Sequence, residues 1–394
     1  MRKRNGIVCV LLLVFVISCS TDRQSNNDLP GIDVTKNYPE KEINLTDIAN
    51  VSYVQLSANS DDFLYKGSID YVTKNTVIVV DRTSHSVLFF SKDGSPKSRF
   101  NRRGQGPEEY ANAATVMYDE VRDDLYVMPD FNNYINVYSS SGEFKRKLIL
   151  PQSNILNQLA FFDDQSILVY DNSRLWQNIV QSQSGDKTGF TEQTNDSTFF
   201  LISKTDGTVL EYLHVPGNTI DLSCNIEGAG FAQVGYSRVR KSPNGLLLYN
   251  PETDTIFLYD KDKSLSPFMH KTPLLTDMNP MIVMDNCLDA GDFQFLSAYT
   301  YSVGKHPSAT YYMRDKQSGD IFRQKVVLAD YEGKDFHIDP RLPNYYEKGY
   351  HFELDIFELK EAYGENRLSG KLKELVATLN DTEDNNVFVF VDFK

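Results

Sequence analysis

One short segment combines cations, glycines, carboxylates and an aromatic side chain. It runs from residue 102 to 110 and reads RRGQGPEEY. Adjacent arginines are able to bind a carboxylate or a sulfate through charge-assisted hydrogen bonds. The segment lacks the Lys-Ser/Thr of a P-loop and the third glycine of a dinucleotide site, which argues against nucleotide binding. Two interpretations stay open, a turn that links two structural units or a ligand-contacting loop. The candidate ligand-binding residues are Arg102, Arg103, Glu108, Glu109 and Tyr110.

The other reactive residue types form no catalytic pattern. Six histidines are scattered along the chain, without an HExxH or other close metal-binding pair. No Gly-x-Ser-x-Gly motif is present, which weakens the hypothesis of a serine hydrolase. Paired carboxylates occur at Asp61-Asp62 and Asp163-Asp164, where we expect Asx turns in preference to an acid–base pair. The sequence predicts no catalytic residue, no metal site and no cofactor. Metal ligands from distant repeats are the exception that this pattern leaves open. Whether the protein is an enzyme also stays open.

The N-terminus predicts export and lipidation. Three basic residues at positions 2–4 precede an apolar run from Ile7 to Ile17, which is too short to span a bilayer. Ser18 and Cys19 follow this run directly, and the segment is similar to a bacterial lipobox, in which the cysteine becomes the lipidated first residue. An ordinary signal peptide with a coincidental cysteine is the alternative. We therefore divide the chain into a lipoprotein signal peptide (1–18), a flexible tether (19–40) and one globular domain (41–394).

The composition excludes several classes of protein. The 394 residues are 41% hydrophobic and 12% aromatic, too apolar for a disordered chain. A formal net charge of −14 argues against a nucleic-acid partner, which needs a basic face. The single long apolar run excludes a multi-span membrane protein. Beyond the signal and Cys19, only Cys224 and Cys287 remain. A disulfide between them is permitted in an oxidising compartment, and two buried free thiols are the alternative.

A strand–turn–strand unit recurs through the body of the chain. Its turn positions are spaced 48 to 65 residues apart and are Gly94, Gly142, Gly207, Lys263 and Gly319. Repeats of about 40–50 residues with this pattern are typical of β-propeller blades. Glycine provides the positive φ of a tight turn, so we expect another turn type at Lys263. Alternating strands at 51–57 and 387–392 are expected to lie in one blade and close the ring as a sixth blade.

One stretch departs from the strand pattern. Within residues 352–380, five aliphatic side chains fall at helical spacing. We expect a short helix packed against the last blade, and a partner-docking helix is the alternative. The predicted fold class is all-β, a six-bladed β-propeller with a short C-terminal helical insertion. An irregular pair of β-sandwiches is the competing architecture.

The sequence resembles the six-bladed β-propeller lipoproteins of Bacteroides and related bacteria. The resemblance is carried by the lipobox at Cys19, the Gly-x-Gly-Pro-x-Glu-Tyr loop at 104–110, the segment Asp254-Thr255-Ile256-Phe257, and the acidic-Asn run at 384–386 before the last strand. It covers nearly all of residues 40–394. It implies a propeller at the cell envelope, lipid-anchored and located on the outer membrane, and it provides no catalytic residues.

We therefore expect a ligand- or protein-binding module that works with outer-membrane transport or glycan-utilisation proteins. A hydrolase or lyase with its active site at the axial mouth is the alternative. Because an acidic surface is repelled by anionic lipid, the lipid and not a basic patch is expected to hold the protein at the membrane. Any small ligand is expected at one mouth of the central channel, where several loops converge.

Overall fold

The structure is a computed structural model. It describes residues 29–58, 61–130, 133–150, 156–171, 173, 197–217, 223–226, 230–233, 237–301, 307–341, 349–380 and 384–394. The signal peptide and Cys19 lie outside the described residues. The regular secondary structure of the described residues is mainly β-strand, arranged as consecutive, mostly antiparallel sheets.

The N-terminal elements join sheets whose other strands come much later in the chain. These elements are β1 (Gly31–Asp33), β2 (Glu40–Asn44), the short helix α1 (Leu45–Ile48) and β3 (Ala49–Gln55). The side chain of Asn44 caps α1 by accepting a hydrogen bond from the Thr46 amide.

The first three blades are four-stranded antiparallel meanders. The first blade contains β4 (Ile69–Val72), β5 (Thr76–Val80), β6 (Val87–Ser91) and β7 (Pro96–Phe100). The second contains β8 (Thr115–Asp119), β9 (Asp124–Met128), β10 (Tyr134–Tyr138) and β11 (Phe144–Ile149). The third contains β12 (Leu156–Phe161), β13 (Ser166–Asp171), β14 (Phe199–Ser203) and β15 (Val209–Leu213).

A two-stranded hairpin, β16 (Ser223–Ile226) and β17 (Gly230–Gln233), precedes the fourth blade. That blade contains β18 (Val239–Ser242), β19 (Gly245–Asn250), β20 (Thr255–Asp260) and β21 (Leu265–Thr272). The fifth contains β22 (Met281–Met284), β23 (Leu288–Ala290), β24 (Phe293–Tyr301), β25 (Ser308–Asp315), β26 (Ile321–Val327) and β27 (Asp335–Phe336). The inner strands β4, β8, β12, β18 and β23 are in contact one after another, as in a propeller.

The last sheet combines both ends of the chain. It contains β28 (Gly349–Leu354), β29 (Val387–Phe393) and β3, with β29 in the middle. β29 pairs with β3 from Val387 opposite Gln55 to Phe393 opposite Ala49, which confirms that the terminal strands share one sheet. Between β28 and β29 the chain forms two helices, α2 (Ile356–Gly364) and α3 (Gly370–Ala377), where the sequence predicts one helical insertion. Their apolar faces pack on this sheet, as predicted.

The prediction of six blades is not confirmed. Five sheets have four or more strands and form the blades of the propeller, whereas the terminal sheet has only three. The physical reason lies in the connection after β28, because that part of the chain folds into α2 and α3 instead of a further strand.

The predicted flexible tether over residues 19–40 also needs correction. β1 pairs in parallel with the outer strand β21 of the fourth blade, and β2 pairs in parallel with β26 of the fifth. Ile32, Val34 and Tyr38 are buried in the core of these blades. The propeller therefore begins at Gly31 at the latest, and two outer edges that would expose unpaired backbone groups are covered.

The turn at Lys263 corrects a further expectation. Its φ of 63° lies in the left-handed region, as does the φ of 83° at Gly142 in the corresponding turn of the second blade. In both turns the residue in this conformation donates its backbone N–H to the carbonyl oxygen three residues earlier, to Asp260 O at Lys263 and to Ser139 O at Gly142. The turn at Lys263 is therefore built like the glycine turns and accepts the cost of a side chain in this region.

Candidate functional site

A cleft of about 380 Å³ opens at one end of the ring of blades. In each four-stranded blade, the turn from the first to the second strand and the turn from the third to the fourth lie at the same end. The cleft is bordered by such turns from the first four blades, including residues 73–74, 119–120, 163–164 and 241–245. This is the kind of axial mouth at which the sequence predicts ligand binding.

Aromatic side chains form the apolar part of the cleft. Phe161, at the end of β12, is half-buried, and its ring packs edge-on against Tyr71 of β4 at a centroid distance of 6.3 Å. Its other neighbour is Tyr126, at 5.4 Å. Phe162 is also half-buried and packs at 4.8 Å from Tyr259. Both phenylalanines are fixed by inter-blade packing and keep part of each ring at the surface of the cleft.

Lys204 is the most buried cation of the cleft. It lies in the turn between β14 and β15, and it is only 7% exposed. Its Nζ lies 4.3 Å from the centroid of the Phe161 ring and 3.5 Å from Asp119 Oδ2. Burial lowers the pKa of Lys204, and the nearby Asp119 carboxylate partly offsets that effect. Three further lysines border the cleft, Lys74, Lys241 and Lys261.

The carboxylates of the cleft are engaged within the protein. Asp119 forms an ion pair with Arg122 at 3.1 Å in addition to its contact with Lys204. Glu120 accepts a hydrogen bond of 2.6 Å from Thr76 Oγ1 and one of 3.1 Å from Asn75 Nδ2. These contacts connect the first blade to the second and leave the two carboxylates with little capacity for an external cation.

Asp163 has the turn-forming role that the sequence predicts. Its Oδ1 accepts hydrogen bonds from the backbone N–H groups of Gln165 and Ser166, at 2.8 and 2.7 Å. These hydrogen bonds lower the pKa of Asp163, although burial partly opposes them. Asp164 is exposed beside it. The pair is therefore an Asx turn at the cleft edge, as expected.

The loop of candidate ligand-binding residues lies at the other end of the ring. It follows the outer strand β7 and leads to the inner strand β8, so it leaves the blade opposite the turns of the cleft. Tyr110 is fully buried, donates its hydroxyl to His85 O at 2.8 Å and accepts the Arg102 N–H at 3.1 Å. Glu109 accepts the Gly106 N–H at 2.7 Å.

The remaining contacts of this loop are also structural. The Nε of Arg102 donates to Gly142 O at 2.9 Å, and the backbone oxygen of Glu108 accepts the Tyr138 hydroxyl at 2.8 Å. Arg103 and the side chain of Glu108 are exposed. The structure gives Tyr110 and Glu109 roles in holding the loop between two blades. A ligand-binding role for Arg102, Arg103 and Glu108 stays a prediction.

The interior of the ring holds buried charged groups that the sequence analysis does not single out. Arg240 of β18 is 3% exposed and Asp285, near β23, is 0% exposed. Asp285 Oδ1 accepts the backbone N–H groups of Ser237 and Asn286, at 3.0 and 2.6 Å. Burial raises the pKa of Asp285 to about 7, although the Arg240 guanidinium partly offsets it. The sequence of β18, Val-Arg-Lys-Ser, carries no local signal of this burial, because arginine is seldom fully buried.

One cysteine side chain, that of Cys287, lies in the described part of the chain. Cys287 is fully buried, and burial raises the pKa of its thiol. The side chain of Cys224 lies outside the described residues, so a Cys224–Cys287 disulfide stays a prediction. No group of three or more His, Cys, Asp or Glu side chains able to hold a metal ion occurs among the described residues. Among the same residues, no helix is long and apolar enough to cross a membrane.

The fold and the axial cleft together define an all-β propeller protein. Residues 29–392 match the family model described as a domain of unknown function, DUF4934, and the chain belongs to this family. No curated protein matches the sequence.

Three solved structures illustrate the likeness in fold. A protein from Bacteroides fragilis NCTC 9343 that is named as an exported protein has a TM-score of 0.61 and 15% identity, covering 93% of this chain and 99% of that one. A DUF4221 family member from Bacteroides vulgatus has a TM-score of 0.47 and 11% identity, covering 88% and 97%. The C-terminal WD40 domain of Sif2 has a TM-score of 0.33 and 11% identity, covering 62% and 57%. At these identities the likeness concerns the fold alone.

Proposed function

We propose that this protein is an exported, lipid-anchored β-propeller of the bacterial cell envelope that binds a small ligand in the axial cleft. The lipobox-like segment ending at Cys19 supports export and anchoring. The similar Bacteroides fragilis protein, which is named as exported, supports the same location. The proposed site of anchoring is the outer membrane, and the proposed partners are transport or glycan-utilisation proteins there. In this proposal the three-stranded terminal sheet serves as the sixth blade.

The observation that carries the binding function is the lining of the cleft. Half-buried aromatic rings, lysines and engaged carboxylates surround a concavity at the end of the ring. Small-molecule sites commonly have this form, with apolar walls and a few placed polar groups. None of the described residues that line the cleft is a histidine, the most frequent general acid or base. This arrangement supports binding in preference to acid–base catalysis.

A hydrolase remains the alternative because of one contact elsewhere in the third blade. Ser197 Oγ lies 3.1 Å from His214 Nδ1, within the distance at which a histidine activates a hydroxyl nucleophile. The two residues flank β14 and β15 at the end of the blade away from the cleft. This alternative therefore predicts an active site in a different place from the proposed ligand site.

The test is a binding screen on the full chain in detergent micelles. Neutral, amino-sugar-containing and acidic oligosaccharides are titrated by calorimetry, and each is recovered and checked for cleavage by mass spectrometry. We expect an intact ligand whose affinity falls at least tenfold in the double variant Lys74→Ala/Lys261→Ala. A tenfold change corresponds to about 1.4 kcal/mol, within the range of one lost charged contact.

The double variant Arg102→Ala/Arg103→Ala is the matched control, since it removes two cations from the loop at the other end of the ring. If affinity falls in this variant and not in the lysine variant, ligand binds at the loop and the cleft proposal is wrong. Cleavage that disappears in Ser197→Ala would establish the hydrolase instead. A screen in which no oligosaccharide binds would overturn the small-ligand function.

A further inference from the structure

The charged side chains of the cleft differ in whether they already have hydrogen-bond or ion-pair partners within the protein. Asp119, Glu120 and Asp163 each accept contacts from within the protein, as described above. Lys74 and Lys261 are exposed and form no ion pair with the described residues. An incoming ligand therefore meets available ammonium groups, whereas most of the carboxylates are occupied. Electrostatic complementarity then favours a ligand with negative charge.

Lys204 adds a directional cation at the base of the cleft. Its Nζ lies over the Phe161 ring, and its one ion pair with the described residues is the long contact of 3.5 Å with Asp119. Asp119 has a shorter partner in Arg122, at 3.1 Å. Because Asp119 is shared between two cations, the Lys204 ammonium retains the capacity to donate to a ligand anion placed over the ring.

The aromatic rings restrict the ligand further. Phe161 packs against Tyr71 of the first blade and Phe162 against Tyr259 of the fourth, and both present ring surface beside the lysines. The apolar C–H face of a saturated ring packs on such a surface, while a charged substituent of that ring reaches the ammonium groups. A cleft of about 380 Å³ lies at the small end of the range of ligand pockets, so it fits a small molecule or the end of a chain.

The protein as a whole does not attract anions. Its formal net charge is −14, so the long-range field opposes the approach of a negatively charged ligand. An anionic ligand would therefore have to be recognised by local contacts. The lysines beside the Phe161 and Phe162 rings provide such contacts.

We propose that the axial cleft recognises an acidic saccharide, with a carboxylate or sulfate bound by Lys74, Lys204 and Lys261 and a sugar ring packed on Phe161. This inference rests on the proposed binding function and specifies its ligand class. Neutral saccharides of the same size lack the group that the lysines bind, and flexible acidic peptides lack the ring.

The experiment compares four probes by calorimetry on the full chain in micelles. Digalacturonate and sulfated galactobiose carry the acidic group, galactobiose is the neutral counterpart, and triglutamate carries charge without rings. We expect at least one acidic disaccharide to bind at least tenfold more tightly than galactobiose and triglutamate. The same affinity is expected to fall at least tenfold in Lys74→Gln/Lys261→Gln.

The control variant Lys36→Gln/Lys66→Gln makes the same change in net charge at two exposed lysines outside the cleft lining. Its affinity is expected to equal that of the parent. If galactobiose binds as tightly as both acidic disaccharides, the acidic class is wrong while binding in the cleft stands. If no probe binds, the acidic class is wrong, whereas the proposed function fails only if the wider oligosaccharide screen also finds no ligand. If the control loses as much affinity as the cleft variant, the assignment of the binding site to the cleft is wrong.

Discussion

Asp285 is a carboxyl group that folding places where its charged form is poorly solvated. It is fully buried, its Oδ1 accepts two backbone N–H groups, and its Oδ2 has no hydrogen-bond partner among the described residues. The hydrogen bond from Ser237 connects the start of the fourth blade to the fifth, and the one from Asn286 is local to the fifth. Since burial raises the pKa of Asp285 to about 7, the native state takes up a proton that the unfolded chain releases near pH 4.

The resulting prediction concerns the pH dependence of stability. The contribution of Asp285 is fully present below about pH 4 and is lost as the pH rises through about 7, because only the native state favours the proton. Asp285→Asn keeps an oxygen for the two N–H groups and cannot ionise. We expect its free energy of unfolding, relative to the parent, to be more favourable at pH 8 than at pH 5. Urea unfolding at both pH values measures this, and a difference independent of pH would contradict the assignment.

Single residues also show what the sequence could reveal about the site. The Asx role of Asp163 was predictable because it depends on neighbours in the chain. The importance of Lys204 was not, because its contacts with Phe161 and Asp119 join residues far apart in sequence. The composition of the loop at 102–110 predicts a possible ligand site, whereas the structure shows Tyr110 at its end as a buried structural contact.

At the scale of elements, β29 carries the connection between the two ends of the chain. It is the central strand of the terminal sheet, with β28 on one side and β3 on the other. Its side chains alternate between two cores. Val387, Val389 and Val391 face the helices, while Phe388 and Phe390 pack towards the first blade. Loss of this strand would remove the middle of the sheet and both of these interfaces.

We therefore expect Phe388→Ala to destabilise the protein strongly. Phe388 is 1% exposed, and truncating a buried phenylalanine typically costs about 3–5 kcal/mol. Phe357→Ala on α2 is the matched control, because the same truncation there affects a side chain that is 61% exposed. Thermal unfolding followed by circular dichroism compares the two variants. Equal melting temperatures would show that β29 does not contribute to the cooperative core.

The elements were predictable to different degrees. The alternating strands and spaced turns indicate antiparallel meanders, since both features depend on local sequence. β1 and β2 escaped prediction because three- and five-residue strands gain their stability by parallel pairing with β21 and β26, which no local pattern indicates. The number of full blades was overestimated because the terminal repeat contains helices in place of a further strand.

At the scale of the whole molecule, the first strand among the described residues lies at the outer edge of the fourth blade. This strand is β1 at Gly31–Asp33, and residues 20–30 separate it from Cys19 in the sequence. An extended chain spans at most about 3.6 Å per residue, so a lipid on Cys19 would hold this edge within about 40 Å of the membrane. In the proposed anchoring, acyl chains would hold the protein at the membrane, since a protein with a formal net charge of −14 is repelled by anionic lipid.

The proposed lipid anchor at Cys19 predicts that membrane association depends on this one residue. Cys19→Ala removes the thiol that would carry the lipid and leaves every described contact of the propeller unchanged. We expect the variant to move from the membrane pellet to the soluble fraction after cell lysis, while the parent stays in the pellet through a high-salt wash and is released by detergent. Cys9→Ala, within the apolar run, is the matched control and should behave as the parent does. If Cys19→Ala remains in the pellet through the salt wash, the membrane attachment lies elsewhere, because loss of acylation removes the hydrophobic contribution to binding and salt screens the electrostatic one.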